Sequence, residues 1–275
     1  MSPEPLGGRT AEGIVYEVTG AGPPVLLMHA GIADRTMWDP QWERWADRYT
    51  LIRYDHRGLG ESADPAEGFS IHGDALAVLG AAGVERATVI GASMGGRGAI
   101  DLALSSPERV DALVTVGSTP SGWQHDSQLL ARFAELEATY EREGLEPINE
   151  LELQLWIDGP RDPSLVDRGF RSKVAAMNAA VLEREQAIEN AGGEIAPAEL
   201  DPPAGSRLGE LALPVLAVTG ALDVPSVNAG SAFLVAGVTG AEAAAIPDST
   251  HLPSLERPDR FEAAVLPFLT RLAQT

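Results

Sequence analysis

Cysteine is absent from the 275 residues, which excludes disulfides, thiol nucleophiles and thiolate metal sites. Lysine is almost as scarce: the 20 basic residues comprise Lys173 and 19 arginines. That imbalance reads as a coding bias toward arginine and carries no function. No apolar run approaches the roughly 20 residues that a membrane helix needs. The first residues, Met1-Ser2-Pro3-Glu4-Pro5, lack the basic and apolar regions of a secretory signal, so the expected location is the cytoplasm. No glycine-rich loop fits a dinucleotide or a nucleoside triphosphate. No cluster of histidines and carboxylates has metal-ligand spacing. Neither a cofactor nor a metal is therefore expected. Basic charge is also short, with 40 acidic residues and a net charge of −20. Such a surface repels nucleic acid and anionic membranes, so neither is an expected partner.

What is present is an ordinary apolar content of 44% in a chain long enough for one large α/β domain with an insertion. Gly13 to Thr19 alternates like an exposed strand, and Pro24 to Met28 is continuously apolar like a buried one. Met37 to Tyr49 carries Trp38, Trp42 and Trp45 at helical spacing. Thr50 to Tyr54 predicts a strand, and Ile71 to Ala82 a helix closed by Gly83. Ala87 to Ile90 and Val110 to Val116 predict two more strands. This alternation argues for a mostly parallel central sheet with helices on both faces. It stops at Pro120. Helices are expected over Asp126 to Glu143 and Ile148 to Ile157, with two more between Asp162-Pro163 and Gly192-Gly193. Ala196 to Arg207 reads as a linker. Alternation resumes with a strand over Pro214 to Gly220, a short one near Ala243 to Ile246, and a helix over Pro258 to Leu272. The expected division is a core of residues 1–119 and 208–275, with a helical cap of residues 120–207 over the strand ends, where open α/β sheets bind ligands.

The chemistry is read from Gly91-Ala92-Ser93-Met94-Gly95-Gly96, a G-x-S-x-G turn between a strand and a helix that ends before Pro107. Such a turn lifts a serine hydroxyl above a sheet edge at a helix N-terminus. A serine needs a base, and the base needs a carboxylate. His251, in the loop Pro247 to Pro253 after the last strand, is the candidate base. Asp223, in Gly220-Ala221-Leu222-Asp223, follows the strand over 214–219 and is the candidate acid; Asp248, three residues from His251, competes with it. The order Ser93, Asp223, His251 is the one this scaffold requires. For the oxyanion, one donor is the Met94 N–H and the other comes from His29-Ala30-Gly31-Ile32, with Gly31 preferred and Ile32 the alternative. His29 and Trp156 are candidate substrate contacts. Trp156, Phe170 and Met177 either line an apolar pocket or pack the cap onto the core.

With His29-Ala30-Gly31, Tyr54 to Ser62, the serine turn, Gly220 to Asp223, and His251 followed by Glu256-Arg257-Pro258, the chain resembles the α/β-hydrolase superfamily. Met37-Trp38-Asp39-Pro40-Gln41 is similar to a segment of its small bacterial esterases and 3-oxoadipate enol-lactonase-like enzymes. Ala30 departs from the glycine that many members carry there. The resemblance implies a cofactor-free serine hydrolase acting on an ester, lactone or similar acyl bond of a small molecule with an apolar part. The rivals are a non-hydrolytic enzyme on the same scaffold (lyase, cyclase, or cofactor-free haloperoxidase or perhydrolase) and a ligand receptor without turnover.

Overall fold

Eight strands form one sheet in the computed structural model, which describes residues 6–193 and 196–272. Met1 to Pro5, read above for the lack of a signal, lie outside the described residues. So do 194–195 in the expected cap and 273–275 in the expected core. In chain order the strands are β1 (Leu6–Arg9), β2 (Val15–Gly20), β3 (Pro24–Met28), β4 (Thr50–Tyr54), β5 (Ala87–Ala92), β6 (Val110–Val116), β7 (Val215–Gly220) and β8 (Glu242–Ile246). Across the sheet they run β1-β2-β4-β3-β5-β6-β7-β8. Only the β1–β2 and β2–β4 pairs are antiparallel. β3 and β5 are buried almost throughout, which explains their unbroken apolar runs.

Two helices cover one face: α1 (Asp39–Trp45) and α9 (Pro258–Leu272). There Trp45 stacks on Phe261, with ring centroids 6.2 Å apart and planes 3° from parallel. The other face is covered by α2 (Ile71–Ala81), α3 (Met94–Ser105) and α7 (Pro225–Gly237). A four-residue helix, α8 (Pro253–Glu256), precedes α9. Between β6 and β7 the described chain is helical, with α4 (Ser127–Glu143), α5 (Leu145–Leu153) and α6 (Arg168–Asn190) as its long members. Phe170, Val174 and Met177 of α6 join the α1/α9 core, so this insertion is packed onto the sheet domain.

Several expected elements differ in extent. The helix over Met37 to Tyr49 is a 3₁₀ turn, Arg35–Trp38, running into α1, which stops at Trp45. The two helices expected before Gly192 are a short 3₁₀ turn, Pro163–Leu165, and the continuous α6. Asp167 caps α6 by accepting the Phe170 N–H at 2.8 Å, and beyond Gly169 in the first turn no glycine or proline interrupts it. The helix over Ile148 to Ile157 is α5 followed by a π turn at Gln154–Asp158. β1 was not expected at all: its Leu-Gly-Gly-Arg has no alternation to read.

The sheet order reverses direction at β3, which has β4 on one side and β5 on the other. The loops leaving β3 and β5 therefore part there and open a crevice at the strand ends. No helix among the described residues is long and apolar enough to cross a membrane.

Candidate active site

Ser93 occupies the single residue between β5 and α3 and has φ 49° and ψ −115°. A non-glycine residue there carries on the order of 1–3 kcal/mol of strain. The surroundings hold it in place. Its N–H donates to the Val116 carbonyl at 2.8 Å, and its carbonyl accepts from the Arg97 N–H at 3.0 Å. The turn is tight enough that a Cβ at Gly91 would collide with the Gly95 carbonyl. One at Gly95 would collide with the carbonyls of Met28 and His29. Glycine at these two positions is thus a packing requirement. The result is a hydroxyl at the N-terminus of a twelve-residue helix.

His251 and Asp223 meet that hydroxyl. His251 Nε2 lies 2.9 Å from Ser93 Oγ, and Nδ1 lies 2.9 and 3.1 Å from the two Asp223 oxygens. A carboxylate only accepts, so Nδ1 carries the proton and Nε2 is left to accept from the serine. Asp223 Oδ1 also accepts the Val224 N–H at 2.7 Å, and the Asp223 side chain is fully buried. Asp248 is elsewhere: its side chain is 71% exposed and its carboxylate pairs with Arg260.

The His251 loop is held by contacts that sequence reasoning missed. Glu256, buried in α8, accepts from the Thr250 N–H and the Ser249 hydroxyl, both at 3.0 Å. Arg161, from the insertion, pairs with Glu256 at 2.5 Å. Partners 95 residues apart leave no local signal.

For the oxyanion, Gly31 and Met94 face each other. A Cβ built on Gly31 would stand 3.8 Å from the Met94 Cβ. Among the described residues, no protein acceptor takes the N–H of Met94, Gly31 or Ile32. Ala30 is buried, and its N–H points to Met37 Sδ at 3.2 Å. His29 is corrected. It has no exposed surface; its Nδ1–H donates to the Ala30 carbonyl at 2.8 Å and its Nε2 accepts the His56 N–H at 2.9 Å. Both ring nitrogens are spent on backbone, so His29 shapes the loop from beneath and does not contact substrate. Burial pushes both the His29 and His56 imidazoles below the ordinary histidine range.

A family model described as the alpha/beta hydrolase fold matches residues 23–258. The chain belongs to that family. A putative carbamate hydrolase, RutD, of Agrobacterium fabrum is 26% identical to it over 270 residues, covering 95% of this chain and 98% of that one. Against three other putative carbamate hydrolases of that name, two from Caulobacter and one from Azorhizobium caulinodans, the chain spans about half of their length. Among solved structures, an esterase from Rhodococcus sp. ECU1013 superposes with a TM-score of 0.77 at 25% identity, covering 98% of this chain and 99% of that one. The enol-lactonase of Burkholderia xenovorans LB400 shares the fold, with a TM-score of 0.78, 21% identity, and 96% and 100% coverage.

In this alpha/beta hydrolase, a cavity of about 210 Å³ opens on Ser93 and His251. Trp156 lines it from the π turn, the first of the two placements left open by the sequence. Its ring lies 4.4 Å from the His251 ring, and its carbonyl accepts the His251 N–H at 3.2 Å. Phe133 of α4 extends this wall, 6.2 Å from Trp156. Phe170 and Met177 do not reach the cavity and pack in the core. Arg97 and His125 do reach it, and neither was singled out from sequence. Arg97 was detectable: it lies one helical turn beyond Ser93, on the same helix face. A larger cavity of about 570 Å³ lies between α4 and the Ala221–Pro225 loop, but Ser93 is not in its wall. Among the described residues no group of three or more histidines and carboxylates is arranged to hold a metal ion.

Proposed function

We propose that this chain is a serine hydrolase that cleaves an ester, lactone or similar acyl bond of a small molecule through an acyl-enzyme on Ser93. The observation that carries the reading is the unbroken hydrogen-bonded line Asp223–His251–Ser93, with the hydroxyl at a helix N-terminus inside a cavity. His251 takes the serine proton as Oγ attacks the carbonyl, then delivers it to the leaving alcohol. The bond from carbonyl carbon to leaving oxygen breaks, and the acyl group stays on Oγ. Water then enters, His251 takes its proton, and the acid is released with Ser93 restored. Asp223 stabilises the imidazolium in both halves. The Met94 N–H and one N–H of the Gly31-Ile32 pair receive the oxyanion, which is worth on the order of 10²–10³ in turnover per donor. The deciding experiment is a screen of p-nitrophenyl esters and lactones of graded size. Carbamates belong in the same screen because the Agrobacterium relative is named for them. No turnover of any acyl substrate would sink the reading.

The insertion, residues 120–207, acts in this reading as a cap that shapes the pocket and keeps bulk water from the acyl-enzyme. Trp156→Ala enlarges the wall beside His251 and should shift the preference between short and long acyl chains by about tenfold. If a folded Trp156→Ala enzyme and variants at His125 and Phe133, the other wall residues drawn from the insertion, all kept the parental ester profile, the cap would have no selective role.

Catalysis is expected to proceed without a metal or organic cofactor, because the donor set and loops that would hold one are lacking from the sequence. Dialysis against a chelator should leave the rate unchanged. Loss of activity restored by a divalent cation would overturn this.

A further inference from the structure

We propose that Arg97 is the anchor for a carboxylate on the substrate, so that the bond cleaved belongs to an anionic ester or lactone. The proposal rests on the acyl-transfer reading above and names its substrate class. Arg97 lies four residues after Ser93 on α3 and lines the same cavity. Among the described residues of that wall it is the only Arg, Lys, Asp or Glu. The remainder is apolar, hydroxyl or imidazole, including Met94, Phe133, Trp156 and Val227. In a chain of net charge −20, a reaction cavity walled by an arginine and no carboxylate is a local reversal of sign.

The guanidinium has unused capacity. It presents five N–H donors. Among the described residues one of them is engaged by another side chain, at 2.9 Å from Glu199 Oε1. That pair is open to water, with side chains 38% and 46% exposed, and an ion pair of this kind holds weakly. Glu199 comes from the return segment after α6 and stands outside the cavity wall. A substrate carboxylate entering the cavity can take the free edge of the guanidinium, or displace Glu199 and form the paired, two-pronged contact arginine favours.

The other titratable groups around Arg97 are engaged elsewhere, although the Asp101 carboxylate also feels its charge. Asp101, one turn further along α3, accepts from the Ser121 hydroxyl and lies beneath the surface. His125 stacks edge-on against Phe133 and shares its Nδ1 with Ser226. Asp126 is committed to capping α4 through the Leu129 N–H. Four residues of helical rise separate Ser93 from Arg97 by about 6 Å along the axis. That spacing suits a carboxylate set about two to four methylene groups from the reacting carbonyl.

The test compares isosteres by pH-stat at fixed ionic strength. On the acyl side the pair is monoethyl glutarate and the ethyl ester in which an isopropyl group replaces its free carboxylate. On the alcohol side it is acetoxypropanoate and isopentyl acetate. The expected result is a kcat/KM ratio of about tenfold or more for the anionic member of one pair. Arg97→Met should bring that ratio to about one, mainly through KM. Glu199→Gln, which removes the competing anion, should lower KM for the anionic member severalfold. Titration of Ser93 with an organophosphonate counts competent sites in each variant. Cleavage of the neutral esters with no preference for the anions, or a preference unchanged in Arg97→Met, overturns this proposal alone. A protein that cleaves no ester and takes no phosphonate overturns the acyl-transfer reading, and this proposal with it.

Discussion

Ser93→Ala is expected to lower turnover of an activated ester by about 10⁴ to 10⁶, leaving only what binding and the oxyanion donors supply. The effect is large because, in the mechanism proposed, the Oγ is the atom that receives the acyl group. The cavity contains other hydroxyls, but their geometry excludes them. Ser118 donates to the Val116 carbonyl at 3.0 Å, and no hydrogen bond joins it or Thr119 to His251. Ser118→Ala should therefore keep most of the activity. Alanine at 93 preserves the positive φ strain and the loop packing, so a thermal melt of Ser93→Ala should match the parent closely while its rate collapses. A serine-directed phosphonate should add its mass to the peptide containing Ser93 in the parent protein and nowhere in the variant. A Ser93→Ala enzyme with parental turnover, or phosphonate attached elsewhere, would refute the mechanism.

The parts of the molecule visible in the sequence are those encoded by local pattern. Buried parallel strands show unbroken apolar runs because both faces are covered, so β3, β5 and β7 were readable. The turn at Ser93 was readable because its strain and close packing demand glycine at nearby positions. Asp223 and His251 stood out as candidates because each lies in the loop that follows a strand, and strand ends are where this topology collects its loops. What escaped depends on contacts between distant segments. β1 has no pattern of its own and exists by pairing with β2. His29 looked like a pocket residue because it leaves a strand end. The sequence could not disclose that His56 would meet its ring from below. The Arg161–Glu256 pair and the π turn that brings Trp156 to His251 join the insertion to the sheet domain over roughly a hundred residues. Periodicity reports which face of a helix is buried, but not what covers it.

Asp223→Asn is expected to cost on the order of 10³ to 10⁴ in turnover, and Asp248→Asn little. The structure gives the physical route. The Val224 N–H donates to Asp223 Oδ1, so an asparagine there keeps its carbonyl oxygen at that position. Its NH₂ group then occupies the place of Oδ2, 2.9 Å from His251 Nδ1. Two donors cannot share that contact, and the remaining oxygen, 3.1 Å from Nδ1, is already engaged by the Val224 N–H, so the balance shifts to the tautomer that carries its proton on Nε2. An Nε2–H can no longer accept from Ser93, and the base is lost although every heavy atom stays in place. Asp248 has no such leverage. It sits on the same loop as His251, but its carboxylate faces solvent and Arg260, with Oδ2 3.1 Å from the guanidinium. Removing its charge loosens an exposed ion pair worth about 0–1 kcal/mol. Steady-state kinetics on one ester, with phosphonate titration to count active sites, separates the two. The opposite ranking, with Asp248→Asn crippled and Asp223→Asn near parental, would show that the acid is drawn from the His251 loop itself and would overturn the triad assigned here.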